Sequence, residues 1–315
     1  VSEFYNLSLG DVVPISAKHG LNISELLDQV VALIPSVQEK TSSAPENTAL
    51  RIAILGRPNV GKSSLFNALI GEERSIVSDI PGTTHDAIDT EVVRDGQHYR
   101  FIDTAGIRKK KKVDTKIEKL FIQQAMQAVE RAEICVLMLD PKEGVTKQEQ
   151  VLASFIAKAG KSCLLILNKV DLISEEQFEA FQQHIYDELY FVDYAPLLFL
   201  SAKRQGDAQE IYPLLNTLHS EYNKKIPTSD LNEYLHKTVA SRTPQTISGR
   251  QAKIYYATQI QAAPPKFVLF VSNPSFLKEN YKRYLENQMR EQYEFVGSPI
   301  FLQFRKKNKD EAKKG

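Results

Sequence analysis

Gly56-Arg57-Pro58-Asn59-Val60-Gly61-Lys62-Ser63 constrains this 315-residue chain more than any other stretch. A glycine-rich turn closing on Lys-Ser works only between a strand and a helix, where backbone N–H groups and the helix dipole converge on a phosphate. The flanks supply both elements. Arg51–Leu55 is a short apolar run that reads as a buried strand, and Ser63-Ser64-Leu65-Phe66-Asn67-Ala68-Leu69-Ile70 places Leu65, Phe66, Leu69 and Ile70 on one helical face. Lys62 is then expected to reach the outer phosphates of a nucleoside triphosphate, and the Ser63 hydroxyl to hold magnesium.

The rest of the chain fits an α/β fold. Strand-like runs at Thr90–Val93, Tyr99–Ile102, Ile134–Asp140, Cys163–Leu167 and Leu197–Leu200 alternate with helical patterns such as Thr115–Arg131, which argues for a mostly parallel sheet. Asp95-Gly96 is a hairpin signal, so one strand is expected to run antiparallel. After Lys224-Lys225-Ile226-Pro227, with Ser229 or Asp230 as candidate helix caps, the pattern changes. Strands Lys253–Gln261 and Lys266–Val271, a helix Pro274–Gln292 and a last strand Ile300–Phe304 predict a small α+β unit. Upstream, one helical pattern at Asn22–Leu33 precedes a polar linker, Thr41–Asn47. Val12–Lys18 echoes Pro196–Lys203, as the tail of a second nucleotide domain would.

Charge is balanced, 40 basic against 39 acidic residues, so no global field favours nucleic acid or membrane. The only cysteines, Cys135 and Cys163, sit in apolar runs and read as buried, reduced thiols of a cytoplasmic protein. No apolar run approaches the roughly 18 residues of a membrane span. The chain does not begin with Met and reads as a fragment of a longer protein.

Three further segments carry chemistry. Asp103-Thr104-Ala105-Gly106 follows a strand, placing a carboxylate to hold magnesium through water and a glycine N–H to meet the terminal phosphate. Asn168-Lys169-Val170-Asp171 selects the base: the Asp171 carboxylate can accept from the ring N–H and amino group of guanine, a donor pair adenine lacks. Asn168 can bond the other edge of the base and steady the phosphate loop, with the Lys169 stem over the ring. Ser201-Ala202-Lys203 offers a backbone N–H to the guanine carbonyl. Together these argue for GTP or GDP, and against an ATPase or a P-loop kinase.

This ordered set, with Pro81-Gly82-Thr83-Thr84 and Asp103-Thr104-Ala105-Gly106-Ile107, resembles the translation-factor-type GTPases and most of all the Der/EngA group. The resemblance implies a Ras-like P-loop GTPase domain followed by a KH-like domain. It implies the end of a first GTPase domain with a linker at 1–45, a second GTPase domain at 50–223, the KH-like domain at 224–308 and a basic tail at 309–315. GTP hydrolysis to GDP and phosphate, as a switch in assembly of the large ribosomal subunit, is the implied activity. The implied partners are guanine nucleotide, that subunit and its rRNA, and the protein is expected to be a monomer. The cofactor-binding residues are those from Gly56 to Ser64, Thr83 and Thr84, Asp103 to Ile107, Asn168 to Asp171 and Ser201 to Lys203, with Ser63, Thr84 and Asp103 on magnesium.

Ile107 stands where many GTPases place a water-orienting Gln, and it has no polar atom to do that work. In related GTPases with an apolar residue there, an Asn of the phosphate loop helps bind potassium, and Asn59 matches that position. Lys62, Asn59, Thr84 and Gly106 are therefore the residues expected to act on the reacting phosphate. Ile107 also keeps open an alternative, a ribosome-binding module locked by nucleotide whose hydrolysis is incidental. His85 replaces the family's usual Arg. Lys109–Lys112 suggest a contact with rRNA phosphates. No Gly-x-x-Gly loop occurs after residue 225, so RNA binding by the KH-like unit rests on the resemblance, with Arg250, Lys253, Lys266, Lys282 and Arg283 as a candidate basic surface. The other reading is that this unit packs against the missing domain and reports its state.

Overall fold

The computed structural model describes Ser16 and residues 49–71, 76–81, 88–104, 117–204, 206–246 and 250–307. The chain divides into two compact units, Val1–Asn47 and Thr48–Gly315, and every described residue except Ser16 belongs to the second. The expected helix Asn22–Leu33, the linker and the rest of the Val12–Lys18 echo lie outside the described residues.

The first part of the second unit runs β1 (Leu50–Leu55), α1 (Lys62–Ile70), β2 (Ile76–Pro81), β3 (Ile88–Arg94), β4 (Gln97–Phe101), α2 (Ile117–Arg131) and β5 (Ile134–Leu139). It continues through α3 (Lys147–Ala159), β6 (Ser162–Leu167), α4 (Phe178–Glu188), β7 (Leu197–Phe199) and α5 (Ile211–Tyr222). Seven strands form one sheet in the order β2-β3-β4-β1-β5-β6-β7. β4, β1, β5, β6 and β7 are parallel, and β3 is antiparallel to both its neighbours. The hairpin expected at Asp95-Gly96 is present, with φ of 49° and 78°, the left-handed pair a tight two-residue turn needs. β2 was not expected: Ile76–Pro81 is a short edge strand with one partner and carries no run of apolar residues.

Alternate residues of the parallel strands enter opposite cores, as the two-residue period of a strand requires. Ile52, Ile54, Val136, Met138, Leu164 and Ile166 pack against α1 and α5 on one face. Ala53, Leu55, Leu137, Leu139, Leu165 and Leu167 pack against α2, α3 and α4 on the other. Every residue of β5 and β6 is buried. Cys135 and Cys163 sit side by side in these strands, unbridged, and burial pushes the Cys135 thiol up to about 12. With both faces covered, the chain is exposed chiefly where it leaves the strand ends, and the phosphate-binding turn leaves the carboxyl end of β1.

A second, three-stranded sheet follows, built from α6 (Thr228–Ser241), β8 (Ile254–Gln261), β9 (Lys266–Val271), α7 (Glu279–Tyr293) and β10 (Phe301–Lys306). Its order is β10-β9-β8, β10 parallel and β8 antiparallel to β9. Phe267, Leu269, Val271 and Leu302 join Leu231, Leu235, Leu285 and Met289 of the helices in one core. Two local expectations are corrected. α6 begins at Thr228 with Pro227 as its cap residue, so Ser229 and Asp230 lie inside the first turn, where the Asp230 charge faces the helix dipole. The helix expected over Pro274–Gln292 is two pieces, because the Asn273 side chain accepts from the Ser275 N–H at 3.1 Å and closes a separate short turn at Pro274–Phe276.

The small sheet is fastened to the large one at the amino end of β6. The Cys163 N–H and the Ser162 hydroxyl donate to the Gly297 carbonyl at 2.8 and 2.9 Å, and the Gly297 N–H donates to Tyr194 O at 2.9 Å. The Arg290 guanidinium lies 5.1 Å from the Tyr194 ring centre, and Lys224 Nζ donates to Tyr293 O at 2.8 Å.

Candidate nucleotide-binding site

Between β1 and α1 the chain makes the turn that the phosphate-loop sequence demands. Asn59 is left-handed at φ 65°, and Gly61 has φ 109°. A methyl group on Gly61 would stand 2.1 Å from Asn168 Nδ2, so side-chain size as well as dihedral angle requires glycine there. Lys62, first residue of α1, donates to Gly56 O at 2.5 Å and Arg57 O at 2.7 Å, which bends its ammonium over the turn. Burial lowers the Lys62 pKa to about 8, against the opposing pull of the Glu149 charge.

The carboxyl end of β6 closes onto the same turn. Asn168 is buried and uses both ends of its amide: Nδ2 donates to Val60 O at 2.8 Å, and Oδ1 accepts from the Ala202 N–H at 2.9 Å. One side chain thus joins the phosphate loop to the Ser201–Lys203 turn. Lys169, left-handed at φ 63°, sends its ammonium to Asn59 O at 2.9 Å and to Asp140 Oδ2 at 2.5 Å. Asp171 is exposed and accepts from the Ser201 hydroxyl at 2.6 Å. That hydrogen bond, helped by the Lys203 and Arg204 charges, holds its carboxyl below the usual carboxylate range. Of the three backbone donors in the Ser201 turn, two are engaged locally: Ser201 N–H with Asp207 Oδ2 at 2.9 Å, and Ala202 N–H with Asn168.

Beyond β4, Asp103 is left-handed at φ 55°, and Thr104 is fully buried. The Ser63 hydroxyl and the Asp103 carboxylate are hard oxygen donors of the kind magnesium takes, and magnesium commonly draws its remaining ligands from phosphate and water. Among the described residues, no group of three or more His, Cys, Asp or Glu comes together that would cage a metal by itself. Thr83, Thr84, Ala105, Gly106, Ile107, His85 and Lys109–Lys112 lie outside the described residues.

Three partners at this site, Glu143, Glu149 and Asp140, escaped sequence reasoning. Arg57 is only 8 % exposed, its guanidinium 2.5 Å from Glu143 and 3.5 Å from the buried Glu149. Glu149 in turn accepts from the Thr146 N–H at 3.0 Å at the start of α3. Asp140, at the end of β5, holds Lys169 and accepts from the Lys142 N–H at 3.0 Å. Two of the five candidate basic residues of the small domain have local partners. Lys282 belongs to the helix layer and pairs with Glu279 and Glu286, whereas Lys266 turns away from the helix-side core towards the Phe301 ring.

A mostly parallel sheet with a phosphate loop after its first strand and a base-selecting Asn-Lys-x-Asp turn defines a P-loop GTPase, here continued by a KH-like domain. A family model described as 50S ribosome-binding GTPase matches residues 51–169. A second, described as the KH-domain-like C-terminal part of EngA bacterial GTPase enzymes, matches residues 225–305. GTPase Der of Caldanaerobacter subterraneus subsp. tengcongensis is 42% identical over 310 residues, covering 98% of this chain and 70% of that protein. GTPase Der of Synechococcus sp. strain JA-2-3B'a(2-13) is 44% identical over 309 residues, covering 97% of this chain and 67% of its own length. The chain belongs to the GTPase Der family. It is a GTP hydrolase, a family activity that entails guanine nucleotide and magnesium. Among the described residues no helix is long and apolar enough to cross a membrane.

Proposed function

We propose that this chain uses GTP hydrolysis to control its binding to the large ribosomal subunit during assembly, as a cytoplasmic monomer. The observation that carries the nucleotide half is Asn168. Its amide ties the phosphate loop to the Ser201 turn, so phosphate and base are held by one connected frame. Backbone N–H groups from Gly56 to Ser64, Pro58 having none, surround the phosphates, Arg57 contributing through its backbone because its side chain is held by Glu143 and Glu149. Lys62 carries positive charge to the outer phosphates, Ser63, Thr84 and Asp103 hold magnesium, and the Gly106 N–H meets the terminal phosphate beside Ala105, Thr104 and Thr83. Asp171 reads the guanine N–H pair, Lys169 covers the ring beside Val170, and the Lys203 N–H faces the guanine carbonyl.

Asn59 is assigned to potassium. Its left-handed backbone and the Lys169 bond to its carbonyl hold it at the crest of the loop, and Ile107 supplies no polar atom for the attacking water. Turnover is expected to be several-fold faster in potassium than in sodium, and equal rates would remove the assignment. The ribosome half draws on the family model's description and on Lys109–Lys112. Co-sedimentation with large subunits should be stronger with a GTP analogue than with GDP and should weaken steeply with salt; pelleting indifferent to both would refute it. We also assign 50–223 to the GTPase domain, 224–308 to the KH-like domain, 309–315 to a basic tail and 1–45 to the end of a preceding GTPase domain. The greater length of the Der relatives supports this last assignment.

A further inference from the structure

Asp89 is only 5 % exposed, and a carboxylate so buried is costly unless both oxygens are occupied. Each has its own partner. Oδ1 accepts the N–H of Asp103 at 3.1 Å, and Oδ2 pairs with the guanidinium of Arg131. The neighbours of Asp89 reach the same place: the Thr104 hydroxyl donates to Ile88 O at 2.7 Å and lies 2.9 Å from the Thr90 hydroxyl. The backbone ladder between β3 and β4 ends at Thr90 and Phe101. Past that point, side chains of residues 89 and 104 take over the pairing and hold the chain through the left-handed turn at Asp103.

The three partners belong to three different segments. Asp89 lies at the start of the strand that follows Thr83-Thr84. Asp103 opens the tetrad ending in Gly106, and Arg131 is the last residue of the helix downstream of that tetrad. We propose that Asp89 is a positioning residue: it fixes the Asp103 backbone, and with it the aim of the Asp103 carboxylate, while Arg131 fixes Asp89. The inference rests on the reading of Asp103 as a magnesium-side group. It adds that the aim depends on a buried carboxylate that touches neither metal nor nucleotide.

The test is binding of a fluorescent GDP to the whole chain across a magnesium titration and again in EDTA. Asp89→Ala should raise the magnesium concentration for half-maximal tightening about tenfold, the factor that loss of one charged hydrogen bond provides. The EDTA affinity should stay within about twofold, which a general loss of structure would not permit. Asp89→Asn keeps an acceptor for the Asp103 N–H and should recover most of the shift. Arg131→Gln should give a smaller shift in the same direction. Arg131 is one-third exposed and Gln keeps a hydrogen-bond donor for the Asp89 carboxylate, so Arg131→Gln decides the matter if Asp89→Ala does not fold. A wild-type magnesium requirement in the deciding variant overturns the positioning role. Asp103→Ala is run alongside, and if that change leaves the requirement untouched, the magnesium reading fails instead.

Discussion

Away from the Asp95 hairpin, left-handed backbone at non-glycine residues occurs in two regions of the described chain, and the two are built differently. Asn59, Asp103 and Lys169 have φ of 65°, 55° and 63° and surround the nucleotide-binding site. Glu294 and Phe295 have φ of 66° and 52° and form the reversal from α7 towards β10, just before Gly297. Such conformations persist only where surroundings over-determine them. At the nucleotide site the surroundings are polar: Lys169 spans Asn59 and Asp140, and Asp89 holds the Asp103 N–H. At the reversal a packed ring joins the hydrogen bonds, the Arg290 guanidinium donating to Phe295 O at 3.2 Å. Phe295 is fully buried with its ring edge-on to Phe267, and Gly297 is bonded to the first residues of β6. Polar bonds can be exchanged for bonds to a ligand at little net cost, whereas packed rings can only be broken. The first region is suited to respond, and the second to stay fixed.

The largest expected effects come from making one change in both regions. An added methyl at Gly61 meets Asn168 Nδ2 at 2.1 Å, and one at Gly297 meets a Leu218 methyl at 2.0 Å and Cys163 O at 3.0 Å. Left-handed strain and overpacking together cost about 3 kcal/mol at either site. Gly61→Ala should spend this on displacing Asn168, weakening GTP at least about a hundredfold by calorimetry. Gly297→Ala should lower the unfolding midpoint by several degrees and leave GTP affinity within about twofold. If Gly297→Ala weakened GTP as much as Gly61→Ala, the reversal would not be a passive joint and the contrast would collapse.

Asp171→Asn sharpens the contrast from inside the nucleotide region. The amide can no longer accept both guanine donors, and loss of charged hydrogen bonds of about 1.5–3 kcal/mol should cost about a hundredfold in GDP affinity. Asp171 is exposed and, among the described residues, bonded to Ser201 and its own turn, so the melting temperature should hardly move. GDP affinity unchanged beside ATP affinity would show that the base is read elsewhere.

What was legible in the sequence divides along the same line. Lys62, Asn168 and Asp171 stand in short ordered tetrads after apolar strands, and local chemistry at fixed spacing is what a linear reading detects. Glu149, Asp140, Asp89 and Asp207 are single carboxylates whose partners, Arg57, Lys169, Arg131 and Ser201, include some many residues away; no spacing rule connects them. β2 was missed because an edge strand needs little hydrophobicity. The break before α7 was missed because the apolar spacing of Phe276, Leu277, Tyr281 and Leu285 suits a helix, while the Asn273 cap that interrupts it is a local hydrogen bond. In the Ser201 turn a single N–H was expected for the base; the structure engages the Ser201 and Ala202 N–H groups within the protein, which narrows that role to Lys203.

The smallest effect is one of pH, and its sign separates binding from stability. Each region has a half-buried cation, Lys62 in one and Arg290 in the other, and loss of solvent lowers the pKa of both. A guanidinium starts so high that it stays charged through the working range, but Lys62 falls from 10.5 to about 8. Phosphate binding needs the ammonium form, so above pH 8 GTP affinity should fall towards tenfold per pH unit. Stability should move the other way. Below pH 8 Lys62 is charged in folded and unfolded chain alike, and the folded state bears the full cost of burying it. Between about 8 and 10.5 the folded state releases its proton first, so this group's contribution to stability rises. Lys62→Met should flatten both trends, most cleanly in the difference between variant and parent melts. Parallel decline of binding and stability in the parent, unchanged in Lys62→Met, would move the titration away from the phosphate loop and remove Lys62 as the responsive cation.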